Sequence, residues 1–306
     1  MKILVATEKP FAAVAVEGIR KEIESAGMEC VLLEKYTDKS QLLDAIGDVE
    51  GVIVRSDILD AEVFDAARKL KVAIRAGAGY DNIDLKAATE HGVCVMNTPG
   101  QNSNAVAELV FGMSVMMIRN GFNGTSGTEL KGKKLGIHAF GQVGRNVARI
   151  AKGFDMEVYA FDPYCTPEMI RAAGVTPVES AAELYSTCQY VSLHIPATPE
   201  TTKSINRELL SKMPKGAVLI NTARKEVIDE EGLIRLMEER PDFRYVSDIA
   251  PSNAPVFTEK FAGRYFFTPK KMGAQTAEAN INAGLAAARQ AVEYLTKGVD
   301  RYRVNK

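Results

Sequence analysis

The sequence predicts an α/β protein of two Rossmann-like, flavodoxin-like parallel-sheet domains with a cleft between them. Three observations predict it. Short apolar runs alternate with segments of helical period along most of the chain. One such run, Leu135 to Phe140, enters a glycine turn and then a helix. A break at Asn97-Thr98-Pro99 separates two series of alternating elements.

In the first series, Met1 to Ala6 is a strand. Val16, Ile19 and Ile23 mark a helix that ends near Gly27. Cys30 to Leu33, Val52 to Val54, Val72 to Ile74 and Val93 to Met96 follow as strands. Ala61 to Leu70 and Leu85 to His91 are helices between them. After the break, Asn104 to Arg119 reads as a helix with more apolar content than one face needs. Gly121, Gly124, Gly127 and Gly132 punctuate a loop.

The second series opens with LGIHAFGQVGRNVARIAKGFDMEVYAFD, from Leu135 to Asp162. It reads as strand, turn, helix and strand. Val143, Val147, Ile150 and Ala151 share one helix face, and Gly153 ends the helix. A glycine turn lets backbone approach a pyrophosphate, and the first helical N–H groups point at it. Asp162 closes the second strand, where an acid accepts from a ribose and repels a 2′-phosphate, so NAD is favoured over NADP. The first glycine of the usual pattern is Ala139 here, which is tolerable provided its φ stays negative. Tyr190 to Ile195, Ala217 to Asn221, Phe243 to Ile249 and Phe266 to Thr268 are further strands, and Thr276 to Lys297 is a final helix. Ligands bind past the carboxyl ends of such strands, so Asp162, His194, Arg224, Asp248 and the Lys270-Lys271 pair are expected to converge. The expected division is residues 1–97 with 278–306 for substrate, and 98–277 for the dinucleotide.

Composition excludes several classes. The chain has 306 residues and a net charge of −1, so no basic surface argues for nucleic acid. No apolar run approaches a membrane span. The N-terminus reads as a first strand, not a signal peptide. Cys30, Cys94, Cys165 and Cys188 match no metal spacing and read as buried free thiols in a reducing cytoplasm. No metal is expected.

Several separated motifs together resemble the D-isomer-specific 2-hydroxyacid dehydrogenases. They are RAGAGYDNIDLKAATEHGVCVMNTPGQNSNAVAEL from Arg75, the Leu135–Asp162 unit, LHIPATPETTKSIN from Leu193, NTARKEVID from Asn221 and MGAQTAEA from Met272. The resemblance implies a homodimer exchanging hydride between NAD and C2 of a hydroxy acid. It is strongest to short members that act on 3-phosphoglycerate and lack a C-terminal regulatory domain. By the same resemblance, Ala139, Phe140, Gly141, Gln142, Val143, Asp162, His194, Pro196, Thr201, Thr222, Ala223, Asp248 and Gly273 hold the cofactor. Arg55, Ser56, Arg75 and Asn102 are implied to bind phosphate and carboxylate. Gly77, Ala78 and Gly79 offer backbone N–H groups to a carboxylate.

The family's catalytic arginine falls on Arg224, and a guanidinium suits a carboxylate beside a carbonyl. Two positions depart from the family. Its acid, five residues after Asp248, is Asn253, and its histidine is replaced within TPKKMGAQT. Aligned on MGAQT the replacement is Lys271; aligned on TP it is Lys270. A lysine at its ordinary pKa of about 10.4 is a poor base at neutral pH. Burial and a neighbouring cation lower that value. Asn253 removes a carboxylate and Arg224 supplies the cation, so a lysine acid–base is expected. The expected reaction is oxidation of 3-phosphoglycerate at C2, the entry to serine. A reductase of hydroxypyruvate, glyoxylate or another 2-oxo acid is the near alternative. A non-catalytic NAD-sensing protein is the alternative of another class. His138 reads as a core residue and His91 as part of a surface turn.

Overall fold

Runs such as Val52-Ile53-Val54 and Leu219-Ile220 carry no polar side chain, and such strands are stable only when both faces are covered. The computed structural model, which describes residues 1–305, arranges them in two sheets whose named strands all pair in parallel. The chain divides into two compact units, Met1–Asn102 with Gln275–Lys306, and Ser103–Ala274.

Unit 1 runs β1 (Lys2–Thr7), α1 (Ala13–Ser25), β2 (Glu29–Glu34), α2 (Lys39–Ile46), β3 (Gly51–Val54), α3 (Ala61–Ala66), β4 (Val72–Arg75), α4 (Leu85–Glu90) and β5 (Cys94–Asn97). Its strand order is β2-β1-β3-β4-β5. Alternation along β1 divides the core: Leu4 and Ala6 pack with Leu42 and Phe64, while Ile3 and Val5 pack on the other face. Aspartates cap the short helices; Asp38, Asp60 and Asp84 each accept from an amide of the first turn. Residues 302–305 lie along β5, where the buried Asn305 side chain accepts from Val95 N and donates to Val93 O and Thr89 Oγ1.

Unit 2 runs α5 (Ser103–Ile118), β6 (Lys134–His138), α6 (Gln142–Gly153), β7 (Glu157–Phe161), α7 (Pro167–Ala172), β8 (Thr176–Pro177), α8 (Ala181–Thr187), β9 (Tyr190–Leu193), α9 (Arg207–Ser211), β10 (Val218–Asn221), α10 (Glu230–Glu239), β11 (Arg244–Ser247), α11 (Ala254–Lys260) and β12 (Tyr265–Phe267). The order is β12-β11-β10-β9-β6-β7-β8. The chain reverses its direction of sheet building between β6 and β9, the crevice where doubly wound sheets bind ligands. The apolar excess of α5 is absorbed inside this unit, where Val110, Phe111, Met113 and Met117 share a core with α6 and the sheet. Leu109, Val115 and Met116 remain half-buried. The last helix, α12 (Ala277–Lys297), belongs to unit 1 and packs Ala283, Ala287, Ala288 and Ala291 onto the Ile3–Val5 face. Three of the four cysteines are buried; Cys165 is half-buried, short of the burial expected for all four.

Candidate functional site

At the end of β6 the chain turns on Ala139, whose φ is +78°. The condition of a negative φ, on which alanine would be tolerable there, is not met. The backbone keeps the left-handed turn that the usual glycine supplies, and alanine occupies it at a cost of about 1–2 kcal/mol. Two bonds hold the turn: Ala139 N donates to Phe161 O at 2.9 Å, and Phe140 N donates to Asp162 Oδ2 at 2.7 Å. The other oxygen of Asp162 accepts from Tyr164 N at 2.8 Å. Gly141 is the N-cap of α6 and supplies no side-chain cap, so the first amides of that helix are left for an incoming acceptor. Nothing lies within 4 Å of the position of a Cβ on Gly141. On Gly144 a Cβ would overlap the Ala139 carbonyl oxygen, so helix and turn are in close contact there. A glycine-edged turn, an uncapped helix start and an acid at the next strand end fit a dinucleotide's diphosphate and ribose.

Across the crevice, His194 N donates to His138 O at 2.9 Å. The two rings are structural. Burial pushes His138 down to about 4, against a weak opposing pull from Asp162, and its Nδ1 lies 3.2 Å from Tyr185 Oη. Burial, with the His138 ring adding to it, takes His194 down to about 3, and its Nε2 is 3.0 Å from Ser192 Oγ. Neither ring holds a proton near neutral pH. Thr201 Oγ1 donates to Pro196 O at 2.6 Å and fixes the loop after β9.

The ends of β10 and β11 carry the polar chemistry. Thr222 and Asp248 follow the paired residues Asn221 and Ser247. Both are buried, and Thr222 Oγ1 and Asp248 Oδ1 have no hydrogen-bond partner. Two orphaned oxygens at the ends of neighbouring strands suit a ligand with N–H donors, and a nicotinamide carboxamide is such a group. The other oxygen, Asp248 Oδ2, accepts from Gly273 N at 3.1 Å. Burial raises the Asp248 carboxyl, while Lys271, the Gly273 N–H and Arg224 draw it back down.

Arg224 Nη1 and Lys271 Nζ donate to one oxygen, the Ala223 carbonyl, at 3.1 and 3.0 Å. Two cations on one oxygen stand within about 6 Å of each other, inside the range of strong mutual influence. Lys270 and Lys271 are both exposed, and the Lys270 backbone carbonyl accepts from Thr268 Oγ1. Two premises of the lysine argument fail, the first because Lys271 is exposed and not buried. Replacing the family acid with Asn253 does not leave Lys271 without an acidic neighbour, because Asp248 is close enough to be drawn down by its charge. Asn253 presents its backbone N to Glu230 Oε2 at 3.2 Å, beside Ser252 N on Glu230 Oε1 at 2.9 Å.

In unit 1, Arg55 Nη1 donates to Lys9 O and Pro10 O at 3.0 and 3.1 Å, and Nη2 to Asn280 Oδ1 at 2.7 Å. Its guanidinium also lies 5.1 Å from the Phe11 ring centre. Arg75 Nε donates to Arg55 O at 3.0 Å. The Arg75 guanidinium lies over Gly77, whose φ is +150°, and a Cβ there would overlap it. Ser56 and Ala78 are exposed and Asn102 is half-buried.

Sequence reasoning passed over Asn221 and Glu230. Asn221 heads the NTAR motif and reads as an ordinary strand end; nothing in spacing marks its side chain as bonded to the turn. Glu230 reads as an acid in the first turn of a helix, a common place for one.

The model of the D-isomer specific 2-hydroxyacid dehydrogenase NAD binding domain matches residues 106–265. The D-3-phosphoglycerate dehydrogenase of Methanocaldococcus jannaschii is 36% identical over 270 residues, covering 82% of this chain and 51% of that protein. The chain thus spans about half the length of such relatives. A hydroxypyruvate reductase of Thermotoga maritima is 32% identical over 274 residues, covering 84% of this chain and 88% of that one. The crystal structure of NAD+-bound 3-phosphoglycerate dehydrogenase from Entamoeba histolytica superposes with a TM-score of 0.88 at 50% identity, covering 100% of this chain and 99% of that one.

Proposed function

Because this chain belongs to the D-isomer specific 2-hydroxyacid dehydrogenase family, we propose that it is an NAD-dependent oxidoreductase that oxidises 3-phosphoglycerate to 3-phosphohydroxypyruvate, the entry step to serine. The observation that carries this reading is the meeting of Arg224 and Lys271 on the Ala223 carbonyl, beside Asp248. Bound NAD supplies the hydride acceptor. The first amides of α6 and Asp162 hold its diphosphate and ribose, and Thr222 and Asp248 hold its carboxamide.

Arg224 binds the substrate carboxylate and the C2 oxygen, where a guanidinium polarises the developing carbonyl. Lys271 takes the hydroxyl proton. Arg224 and Asp248 act on its charge in opposite senses. Arg55 and Arg75 are assigned the phosphate. Contacts to Lys9, Pro10, Asn280 and Phe11 hold the Arg55 guanidinium in place before any anion arrives. A homodimer is part of the same proposal, and the exposed Phe122 just after α5 offers an apolar surface residue to it.

A second reading is reduction of hydroxypyruvate or a related 2-oxo acid. It is favoured by the Thermotoga maritima relative, which matches over most of its own length. Steady-state rates with 3-phosphoglycerate and glycerate, each with NAD and NADP, separate the two readings. A preference for 3-phosphoglycerate over glycerate that survives Arg55→Ala and Arg75→Ala would overturn the phosphate assignment. Lys271→Ala should lower kcat by about 100-fold or more while NADH still binds, and Lys270→Ala should cost less than about threefold. Full turnover in Lys271→Ala would remove the lysine from the chemistry.

A further inference from the structure

Asn221 is fully buried, yet its side chain packs as a bracket around the turn that carries Arg224. Its Oδ1 accepts from Ala223 N at 2.9 Å, and its Nδ2 donates to Arg224 O at 3.0 Å. The peptide units on either side of the Ala223–Arg224 peptide are therefore both tied to one side chain. A weaker bond, 3.4 Å, joins Nδ2 to the buried Tyr245 Oη and anchors the bracket to β11. The Asn221 backbone adds a third tie. Its carbonyl accepts from Asp248 N at 3.1 Å and from Ser247 Oγ at 3.0 Å. One residue thus fixes the loop bearing Arg224 and the start of the loop bearing Asp248.

The consequence falls on the Ala223 carbonyl, the oxygen on which Arg224 Nη1 and Lys271 Nζ meet. Asn221 Oδ1 sets the direction of the Ala223 N–H, and Asn221 Nδ2 sets the Arg224 carbonyl. With both flanks pinned, the Ala223–Arg224 peptide plane has little freedom, because a peptide unit turns only about φ and ψ. We infer that Asn221 is a positioning residue: by orienting the Ala223 carbonyl it sets the spacing between Arg224 and Lys271. This rests on the role proposed above for those two cations. A side chain with one acceptor and two donors in a planar group suits the task; aspartate has no donor for Arg224 O, and serine or alanine cannot span both flanks.

The test uses the full chain with Asn221→Ala and Asn221→Ser, and oxalate as a probe for the carboxylate site. NADH binding, followed by fluorescence, should stay within about threefold, since the α6 turn is untouched. Oxalate binding to the NADH-loaded protein, by titration calorimetry, should weaken by about tenfold or more, and kcat should fall at least as far. In an Arg224→Lys background, where the guanidinium to be positioned is gone, the same change should cost less than about twofold. Costs that simply add to those of Arg224→Lys would mean a general structural role and overturn the inference. So would unchanged oxalate affinity and turnover in either variant. If Asn221→Ala fails to fold, the cycle is completed with Asn221→Ser. The underlying reading fails separately: it falls if Arg224→Lys and Lys271→Ala both leave turnover unchanged, whatever Asn221 does.

Discussion

Substituting Gly144 by alanine tests how the cofactor turn is built. In an isolated helix the change gains about 1 kcal/mol of propensity. In α6 the new methyl would overlap the Ala139 carbonyl oxygen and stand 3.0 Å from Ile137 Cγ2. The first of these is backbone and cannot swing aside, so the helix start must lift from the turn. Overpacking of this kind costs about 1–3 kcal/mol. The net expectation is a loss of about 0–2 kcal/mol, a fall of up to several degrees in Tm for a unit of this size. The larger effect should be on binding. The lifted amides are those assigned to the diphosphate, and each 1.4 kcal/mol lost there weakens NADH about tenfold. Gly153→Ala on the same helix is the control. Nothing lies within 4 Å of its Cβ position, and its φ is not positive, so it should stabilise by about 0.5–1 kcal/mol and leave NADH affinity alone. Urea melts monitored in unit 2 and NADH fluorescence titration read both quantities. A Gly144→Ala protein that binds NADH like the parent and melts no earlier would refute the close-contact reasoning.

Two further outcomes concern stability. His138 is held down to about 4 by burial, against about 6.5 in an unfolded chain, so the unfolded state takes up the extra proton between those values. Its contribution is complete above about pH 6.5 and is lost as pH falls through 4, on the order of 3 kcal/mol in all. The fall in urea midpoint between pH 7 and 4.5 should therefore be shallower in His138→Phe; equal slopes would contradict it. Asn305→Ala strips the Val95 amide of its acceptor and Val93 of its donor in a buried place, a cost of about 2–3 kcal/mol. Hydrogen exchange at Val95 should speed up by at least tenfold, and unchanged protection there would mean the tail does not hold β5.

Much of this architecture was legible because burial on both faces leaves an uninterrupted apolar run. Glu157–Phe161 and Val72–Arg75 stand within a residue of their sequence-based limits. Elements without such a run were not legible. The helix α2 is eight residues long, and its evidence is a capping box between Asp38 and Gln41. The strand β8 has two residues. At the site, residue types and strand ends pointed to Asp162, Arg224, Asp248 and Lys271, since chemistry restricts what those places hold. The φ of Ala139 was not legible, because alanine gives no sign of a left-handed turn imposed by its neighbours. The nearness of Asp248 to Lys271 depends on a loop path after β12 that no local pattern encodes.

The split construction of unit 1 also bears on synthesis. A ribosome completes every strand of Ser103–Ala274 before it makes α12, the helix that packs against α1, β3 and β4. The nascent chain must therefore carry a first sheet whose Ile3, Val5 and Ile74 face has α1 but not yet α12 against it, while its second sheet is free to form. Folding of the inserted unit draws the two halves of the first within reach of each other and shortens the loop that α12 must close.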